Sequence, residues 1–473
     1  MKKFTLLCLA LLTIQSSLSQ TTQKNRVIIL SDIEADPDDT QSFVRLFLYA
    51  NEIDIKGIVA TTSCWMQTTI NPNSIEKIVD AYGKIQPNLL KHQKDFPSAE
   101  ALRSIIKEGL PKYGMTGVGD GMDSEGSDWI ISELEKDDDR PLWISVWGGV
   151  NTLAQSLHKI KNTKSIKDAK KLISKLRVYT ISDQDDSGLW IRNNFPDVFY
   201  IVSPGDNYED ATWTGVNTFI KGIDNTTISN EWLADNIQQN HGPLGAIYPD
   251  VAWGVEGDTP AFLSLIPNGI NESEHPNWGS WGGRYELYKP DFSKTKKGNS
   301  IVEIGAEKRA IWTNAIDNYT PHIPSKYGRS VKPDSTSFTG FKETLWRWRD
   351  DFNNDFAARM DWCTMSFENA NHPPVPVLSH PQEFEVKSGQ AFTLDALDSK
   401  DPDGDNLSFL WFHYPEESSY KEKINLGADN VHIVHATAPK VTKKETLHFI
   451  LKVTDKGSPA LSRYKRVIVT VTP

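Results

Sequence analysis

Cysteine is scarce in this chain, with three in 473 residues, and so is positive charge, with 51 Lys and Arg against 62 Asp and Glu. The net charge of -11 argues against a nucleic-acid backbone or an anionic membrane as partner, and reads as a solvated acidic surface. Long apolar runs are missing beyond the first residues, so no segment is expected to span a membrane. The exception is Met1–Ser19. Lys2 and Lys3 precede an apolar core from Phe4 to Ile14, and Ser17-Leu18-Ser19 offers a small-x-small cleavage site. This reads as a cleavable signal peptide and predicts a secreted or periplasmic protein. Cys8 lies too early in that core for lipid attachment. Cys64 and Cys363 are then the remaining cysteines, and they are expected to be two buried thiols. Internal repeats and low-complexity tracts are absent. So is a phosphate cradle: the glycines from Gly114 to Gly126 do not follow a strand or open a helix at Gly-x-Gly-x-x-Gly spacing, and read as a loop.

What the chain does have is a concentration of acid. Val27-Ile28-Ile29-Leu30 has the length and β-branching of a buried strand. Five carboxylates follow within eight residues: Asp32, Glu34, Asp36, Asp38 and Asp39. Phe43, Leu46, Phe47 and Ala50 then recur at helical spacing. Acids at the C-terminal end of a parallel strand stand where open α/β sheets bind ligands. Crowded like charges are costly unless protons or a cation neutralise them, and hard oxygen donors suit Ca²⁺, or less well Mg²⁺. Helix capping alone accounts for Asp38 and Asp39 but not for the whole cluster.

Further strand-to-loop junctions follow. Ile55–Thr62 reads as a buried strand ending near Trp65, an aromatic that can stack on a sugar or simply cover the sheet. Helical patterns lie around Ser74–Ile85 and Ala99–Glu108. Leu142–Trp147 is a strand leading into Gly148-Gly149-Val150-Asn151-Thr152, where Asn151 is either a helix cap or a ligand. Arg177–Ile181 is another, ending at Asp183, Asp185 and Asp186, which suit sugar hydroxyls or a solvated turn. Trp190, Arg192 and Asn194 follow, then a strand at Val198–Val202. The segment from His275 to Tyr285 holds His275, Trp278, Trp281 and Arg284 on an aromatic, glycine-rich loop, which suits a carbohydrate site or a packed domain edge. Trp346, Trp348, Phe352, Phe356 and Ala357 form a closing helix and belong to a core. Pro373-Pro374-Val375-Pro376 is a stiff linker. Beyond it, short alternating strands at Phe384–Val386, Ala391–Leu394, Leu407–Phe412, His432–Ala436, Thr446–Thr454 and Tyr464–Val471 predict a β-sandwich.

The run Ser31-Asp32-Ile33-Glu34-Ala35-Asp36-Pro37-Asp38-Asp39 resembles the D-x-D-x-x-x-D-D signature of inosine–uridine nucleoside hydrolases. Asp32, Asp38 and Asp39 fall on three of its acids. Glu34 falls on the second, which that family uses as Ca²⁺ ligand and general base, with one methylene more here. The longer run through Thr61-Thr62-Ser63 is similar to a secreted relative with a nucleoside-hydrolase-like domain, often labelled cellulose-binding. Gly148–Ala154 resembles the G-P-L-T-N-L-A block, which implies that the Asn151 carbonyl serves as a ligand. Gly257-Asp258-Thr259-Pro260 resembles the late H-D-P motif, which implies Asp258 as ligand, but Gly257 replaces its histidine acid. Asp401–Asn406 with Trp411 resembles a turn motif of immunoglobulin-like modules.

The resemblance implies an α/β nucleoside-hydrolase-like domain over residues 24–370, after a signal peptide at 1–19, and an all-β immunoglobulin-like sandwich over 374–473. It implies a Ca²⁺-dependent hydrolase of glycosidic bonds. Glu34, Asp36 and Asp38 are the expected catalytic residues, and Asp32, Glu34, Asp39, Asn151 and Asp258 the expected metal ligands. Asp38, Trp65, Asp185, Asp186, Asn194, His275, Trp278, Trp281 and Arg284 are the expected substrate contacts. The aromatic loop and Gly257 favour a glycan or glycoside over a nucleoside; a non-catalytic polysaccharide binder and a true nucleoside hydrolase are the alternatives. Few contacts are expected across the linker, so the sandwich should be separable.

Overall fold

The computed structural model describes residues 23–205, 208–291, 302, 305–324 and 331–473; the expected signal peptide lies outside them. The first domain is built on an eight-stranded sheet in the order β3-β2-β1-β4-β5-β6-β8-β7. Its strands are β1 (Arg26–Ser31), β2 (Asp54–Ala60), β3 (Ile106–Glu108), β4 (Leu142–Val146), β5 (Leu176–Thr180), β6 (Phe199–Val202), β7 (Tyr285–Tyr288) and β8 (Ile311–Asn314). Only β7 runs antiparallel to its neighbour. Every residue of β1 is buried. Val27 and Ile29 meet Phe43 and Phe47 on one face, while Ile28 and Leu30 meet Leu153 and Leu157 on the other. Helices therefore cover both faces, which is why β1 reads as continuous and not alternating hydrophobicity. The expected Ala99–Glu108 helix stops at Ser104, and Ile106–Glu108 instead pairs with β2 as the sheet edge.

The C-terminal domain is a β-sandwich. Four strands, Glu383–Lys387, Ser462–Thr472, Glu445–Thr454 and Ser408–His413, form one sheet, and Ala391–Asp395 pairs with Ile433–Thr437 in the other. Phe392 and Leu394 of the small sheet share a core with Trp411, Phe449, Leu451 and Val467 of the large one.

The two domains are not loosely tethered, contrary to the expectation from the proline-rich linker. Tyr414, Ile450 and Tyr464 of the sandwich belong to the same apolar core as Trp281, Trp348 and Phe352. The helix Arg349–Asp361 carries two buried acids into this interface. Asp351 accepts hydrogen bonds from Lys452 at 2.5 Å, Ser462 at 3.0 Å and Tyr464 at 2.5 Å. Asp355 pairs with Arg463 at 2.5 Å and accepts from Tyr49 at 2.6 Å. The linker itself is fastened, since the Asn371 amide donates to the Pro459 carbonyl and the His372 amide to Asp403. Asp403 is thus taken up by His372. Both Cys64 and Cys363 are buried, and burial pushes the Cys363 thiol well above its ordinary range.

Candidate active site at the switch of the sheet

Strand β1 lies between β2 and β4. The chain winds outward to β2 and β3, then returns across β1 to continue through β4, β5 and β6. The loops after β1 and β4 therefore diverge at this point and open a crevice at the C-terminal ends of the strands. Asp32 immediately follows β1, and Gly148 and Gly149 follow β4 by one residue. A β-carbon on Gly148 would stand 2.5 Å from Asp32 Oδ1, and one on Gly149 would stand 2.5 Å from Asp185 Oδ2. Two successive glycines thus let two carboxylates approach the same turn from opposite sides.

The acidic loop folds into the helix Asp38–Leu48. Asp36 Oδ1 accepts the Asp38 amide at 3.0 Å, and Ser31 donates its hydroxyl to Asp39 while accepting the Ile33 amide at 3.1 Å. The first helical turn then presents Asp38 and Asp39. A distant segment brings Asp258 to meet them, and Asp38, Asp39 and Asp258 each offer an oxygen within 4.8 Å of the others. Asp38 Oδ2 also accepts the Gly257 amide at 3.2 Å. The approach of Asp258 is fixed by Glu256, which takes the Arg45 guanidinium, the Tyr248 hydroxyl at 2.8 Å and the Thr259 hydroxyl at 2.9 Å. Arg45 lies on the same helix as Asp38 and stacks over Phe356 at 4.1 Å.

Among the described residues no lysine or arginine pairs with Asp32, Asp38, Asp39 or Asp258. Burial pushes the Asp32 carboxyl up to about 6, against a hydrogen bond from Ser63 that lowers it. Burial likewise raises Asp38, Asp39 and Asp258, and their mutual charges raise them further. A hydrogen bond between the Asp36 and Asp38 side chains adds to the effect on Asp38. Asp258 Oδ2 is buried with no hydrogen-bond partner. An orphaned carboxylate oxygen inside a set of oxygen donors fits a hard divalent cation such as Ca²⁺ or Mg²⁺.

The other expected residues divide into those near this crevice and those away from it. Asp32 is buried beside the triad, and Glu34 is exposed on a left-handed turn with φ 78°, so neither joins the three converging acids. Asn151 opens the helix after β4. Its side chain accepts from Thr61 at 2.9 Å and donates to the Lys112 carbonyl at 2.7 Å, so only its main chain could face an ion. Asp185 receives the Asn151 amide at 3.2 Å and the Ser187 amide at 2.9 Å, and burial pushes it up to about 6. Asp186 is exposed and holds the Met115 amide at 2.8 Å. Trp65 is half exposed and donates to the Tyr208 hydroxyl at 3.3 Å.

Five expected contacts lie elsewhere. Asn194 ends the helix Ser187–Asn194, at the end remote from the crevice, and donates to its own Trp190 carbonyl. Trp281 is 0% exposed, wedged between Phe352 and Tyr464, and cannot present a face to a sugar. Arg284 is buried on Asp317, and Trp278 stacks on His275 while meeting His448 edge-on. Arg466 of the sandwich donates to the Trp278 carbonyl at 2.7 Å. The loop is therefore a domain joint at Trp281, which is sealed between two folded units, while half-buried Trp278 and exposed His275 pack at its edge. Asp183 is likewise structural, bridged by Arg192 at 2.8 Å.

The aromatic neighbour of the acids is instead Trp213. A β-carbon on Gly257 would stand 2.5 Å from Asp38 Oδ2 and 3.0 Å from the Trp213 ring. Trp213 thus takes the space a side chain at residue 257 would need. Tyr208 packs edge-on against Trp213 at 5.2 Å and links it to Trp65. Nothing in the sequence spacing around Tyr208 and Trp213 marks them, because they reach the site on short helical turns too brief to leave a periodicity. Glu256, one residue before Gly257, carries no sequence signal of its role, which depends on the distant Arg45 packed against it.

The family described as "Cellulose-binding Sde182, nucleoside hydrolase-like domain" matches residues 26–285, and "Cellulose-binding protein Sde0182, C-terminal domain" matches residues 391–471. Among solved structures, the chain is similar to a nucleoside hydrolase-related hypothetical protein from Saccharophagus degradans that is associated with carbohydrate metabolism. The two share 35% identity over 95% of this chain and 100% of the other, with a TM-score of 0.79. The type III effector XopQ, solved with adenosine diphosphate ribose, aligns over 73% of this chain and 95% of its own at 9% identity and a TM-score of 0.34, too distant to carry an argument. No curated protein matches.

Proposed function

Because the chain belongs to the Sde182 family of nucleoside hydrolase-like, cellulose-binding proteins, we propose that it is an exported protein that binds a glycan at the switch-point crevice and hydrolyses a glycosidic bond there. The observation that carries this reading is the convergence of Asp38, Asp39 and Asp258 from two distant segments around the orphaned Asp258 Oδ2. Asp39, Asp258 and the Asn151 carbonyl would hold a Ca²⁺ ion. When bound, such an ion supplies positive charge that acidifies a water and orders sugar hydroxyls.

The protein's own groups do the rest. Asp36 is half-buried beside the triad, and its charge bears on Asp32, Asp38, Asp39 and Asp258 alike. It is the acid placed to take a proton from a water in the crevice, whereas exposed Glu34 stands on the rim. Asp38, held by the Gly257 amide, accepts from a sugar hydroxyl and offsets charge on the ring as the bond to the leaving group lengthens. Trp213 and Tyr208 form an apolar wall beside it. Gly257 supplies no proton and Trp213 fills its space, so residue 257 assists no leaving group, nucleobase or sugar; the glycan reading rests on the family and on the aromatic wall of Trp213 and Tyr208.

A panel of oligosaccharides and nucleosides, incubated with Ca²⁺ and with chelator, tests this. Calcium-dependent release of reducing sugar is the expected result. Calcium-dependent binding without turnover would make the protein a lectin-like binder, as the family's name alone would suggest. Efficient inosine or uridine cleavage would overturn the glycan assignment.

A further inference from the structure

Two aromatic side chains outside the crevice are among the most exposed in the molecule: Trp253 at 90% and Phe219 at 73%. A single exposed ring is ordinary, but these two stand on neighbouring segments beside the crevice, where together they offer apolar surface to a ligand. Neither sits on a slack loop. The segment that carries Trp253 is closed at its base by one side chain, Gln41, which is itself fully buried. Gln41 Nε2 donates to the Pro249 carbonyl at 3.0 Å, and its Oε1 accepts the Glu256 amide at 2.9 Å. Gln41 lies one helical turn after Asp38, so the Trp253 loop springs from the edge of the acid crevice. The Phe219 segment follows the short helix Thr212–Val216 that carries Trp213. Buried Arg349 donates to the Thr218 carbonyl at 2.7 Å and to Asn225 at 2.8 Å, and Asn225 clasps both the amide and the carbonyl of Ile220 at 2.9 Å. The two segments touch, since the Asn217 amide reaches within 2.5 Å of where a β-carbon of Gly254 would stand.

We propose that Trp253 and Phe219 form an outer subsite for a neutral, β-linked glucan chain whose inner sugar occupies the acid crevice; this rests on reading that crevice as a sugar site. The chemistry selects the ligand. A β-glucopyranose with all its substituents equatorial offers flat C–H faces that stack on aromatic rings. Rigid aromatics bind such faces with little ordering cost. Uncompensated acids in the crevice and the net charge of -11 repel uronic acids and phosphorylated ligands.

The test is calorimetric titration of the full chain, in calcium, with cellohexaose and cellobiose. Both outer rings are exposed, so Trp253→Ala and Phe219→Ala leave the fold intact. Trp253→Ala should weaken cellohexaose binding about tenfold, as for one lost stacking pair, and leave cellobiose unchanged. Asp258→Asn should weaken both sugars. If Trp253→Ala binds cellohexaose like the parent while Asp258→Asn abolishes binding, the outer subsite is wrong and the crevice reading stands. If Asp258→Asn changes nothing while Trp253→Ala abolishes cellohexaose binding, the crevice reading fails and the proposed continuity with it. Binding of neither sugar by the parent protein would overturn both.

Discussion

Trp281→Ala is the substitution on which the sugar-loop expectation and the observed structure disagree most. In the structure the indole is wholly buried, with its ring centroid 6.3 Å from both Phe352 and Tyr464 and the Arg463 guanidinium 6.0 Å above it. Its Nε1 donates to the Tyr464 hydroxyl at 3.3 Å. Truncating a buried tryptophan removes its transfer free energy and leaves a cavity, a loss of about 3–5 kcal/mol. Against a domain stability of about 5–15 kcal/mol this is large, and it falls where the core of the first domain runs on into the joint with the sandwich. Urea unfolding followed by tryptophan fluorescence, with protease added to report cleavage at Pro373–Pro376, should therefore resolve an early step in which the sandwich undocks. Trp281→Phe should lie between parent and alanine variant. Glycan affinity of the folded variant should be unchanged. A variant as stable as the parent within about 1 kcal/mol, but weaker in glycan binding, would refute the burial argument and restore the loop as a ligand surface.

Two further outcomes follow from the same structure. A chain ending near Asn371 should aggregate, because it exposes Trp281, Trp348 and Phe352 and strands Asp351 and Asp355 without Lys452 and Arg463; light scattering checks this, and a monodisperse, active fragment would contradict it. Calcium should stabilise the protein more at pH 7.5 than at pH 5. The crevice carboxyls bind protons more tightly folded than unfolded, so without metal stability is full at low pH and falls as pH rises. For Asp32, held at about 6 instead of 3.8, this fall is on the order of 3 kcal/mol. A cation that replaces those protons reverses the trend, and thermal melts with calcium and chelator at both pH values measure it; an equal calcium effect at the two would argue against the site.

What the sequence made legible follows from which signals are local. The β1 strand and the acids behind it lie within one short run, so their pattern could be read directly. Asp258 was reachable only through a motif, because its proximity to Asp39 is made by the fold. Trp281 and Trp278 misled for a physical reason: an aromatic, glycine-rich segment has the same composition whether its rings meet a sugar or a second domain. The proline run misled similarly, since stiffness limits the linker's own motion but says nothing of the surfaces at its two ends. Trp213 could not be found at all, because it becomes relevant only by filling the space that Gly257 leaves.

The Gln41 clasp has a consequence for how such a protein can change. One amide holds both ends of the segment between Pro249 and Glu256, so the path of the residues between them is decoupled from the position of Asp258. Lengthening that segment adds little closure entropy, roughly 0.6 kcal/mol per doubling, and none of it is transmitted past the clasp. The chain thus contains a natural grafting port, where insertions can alter ligand reach while the acids stay in register.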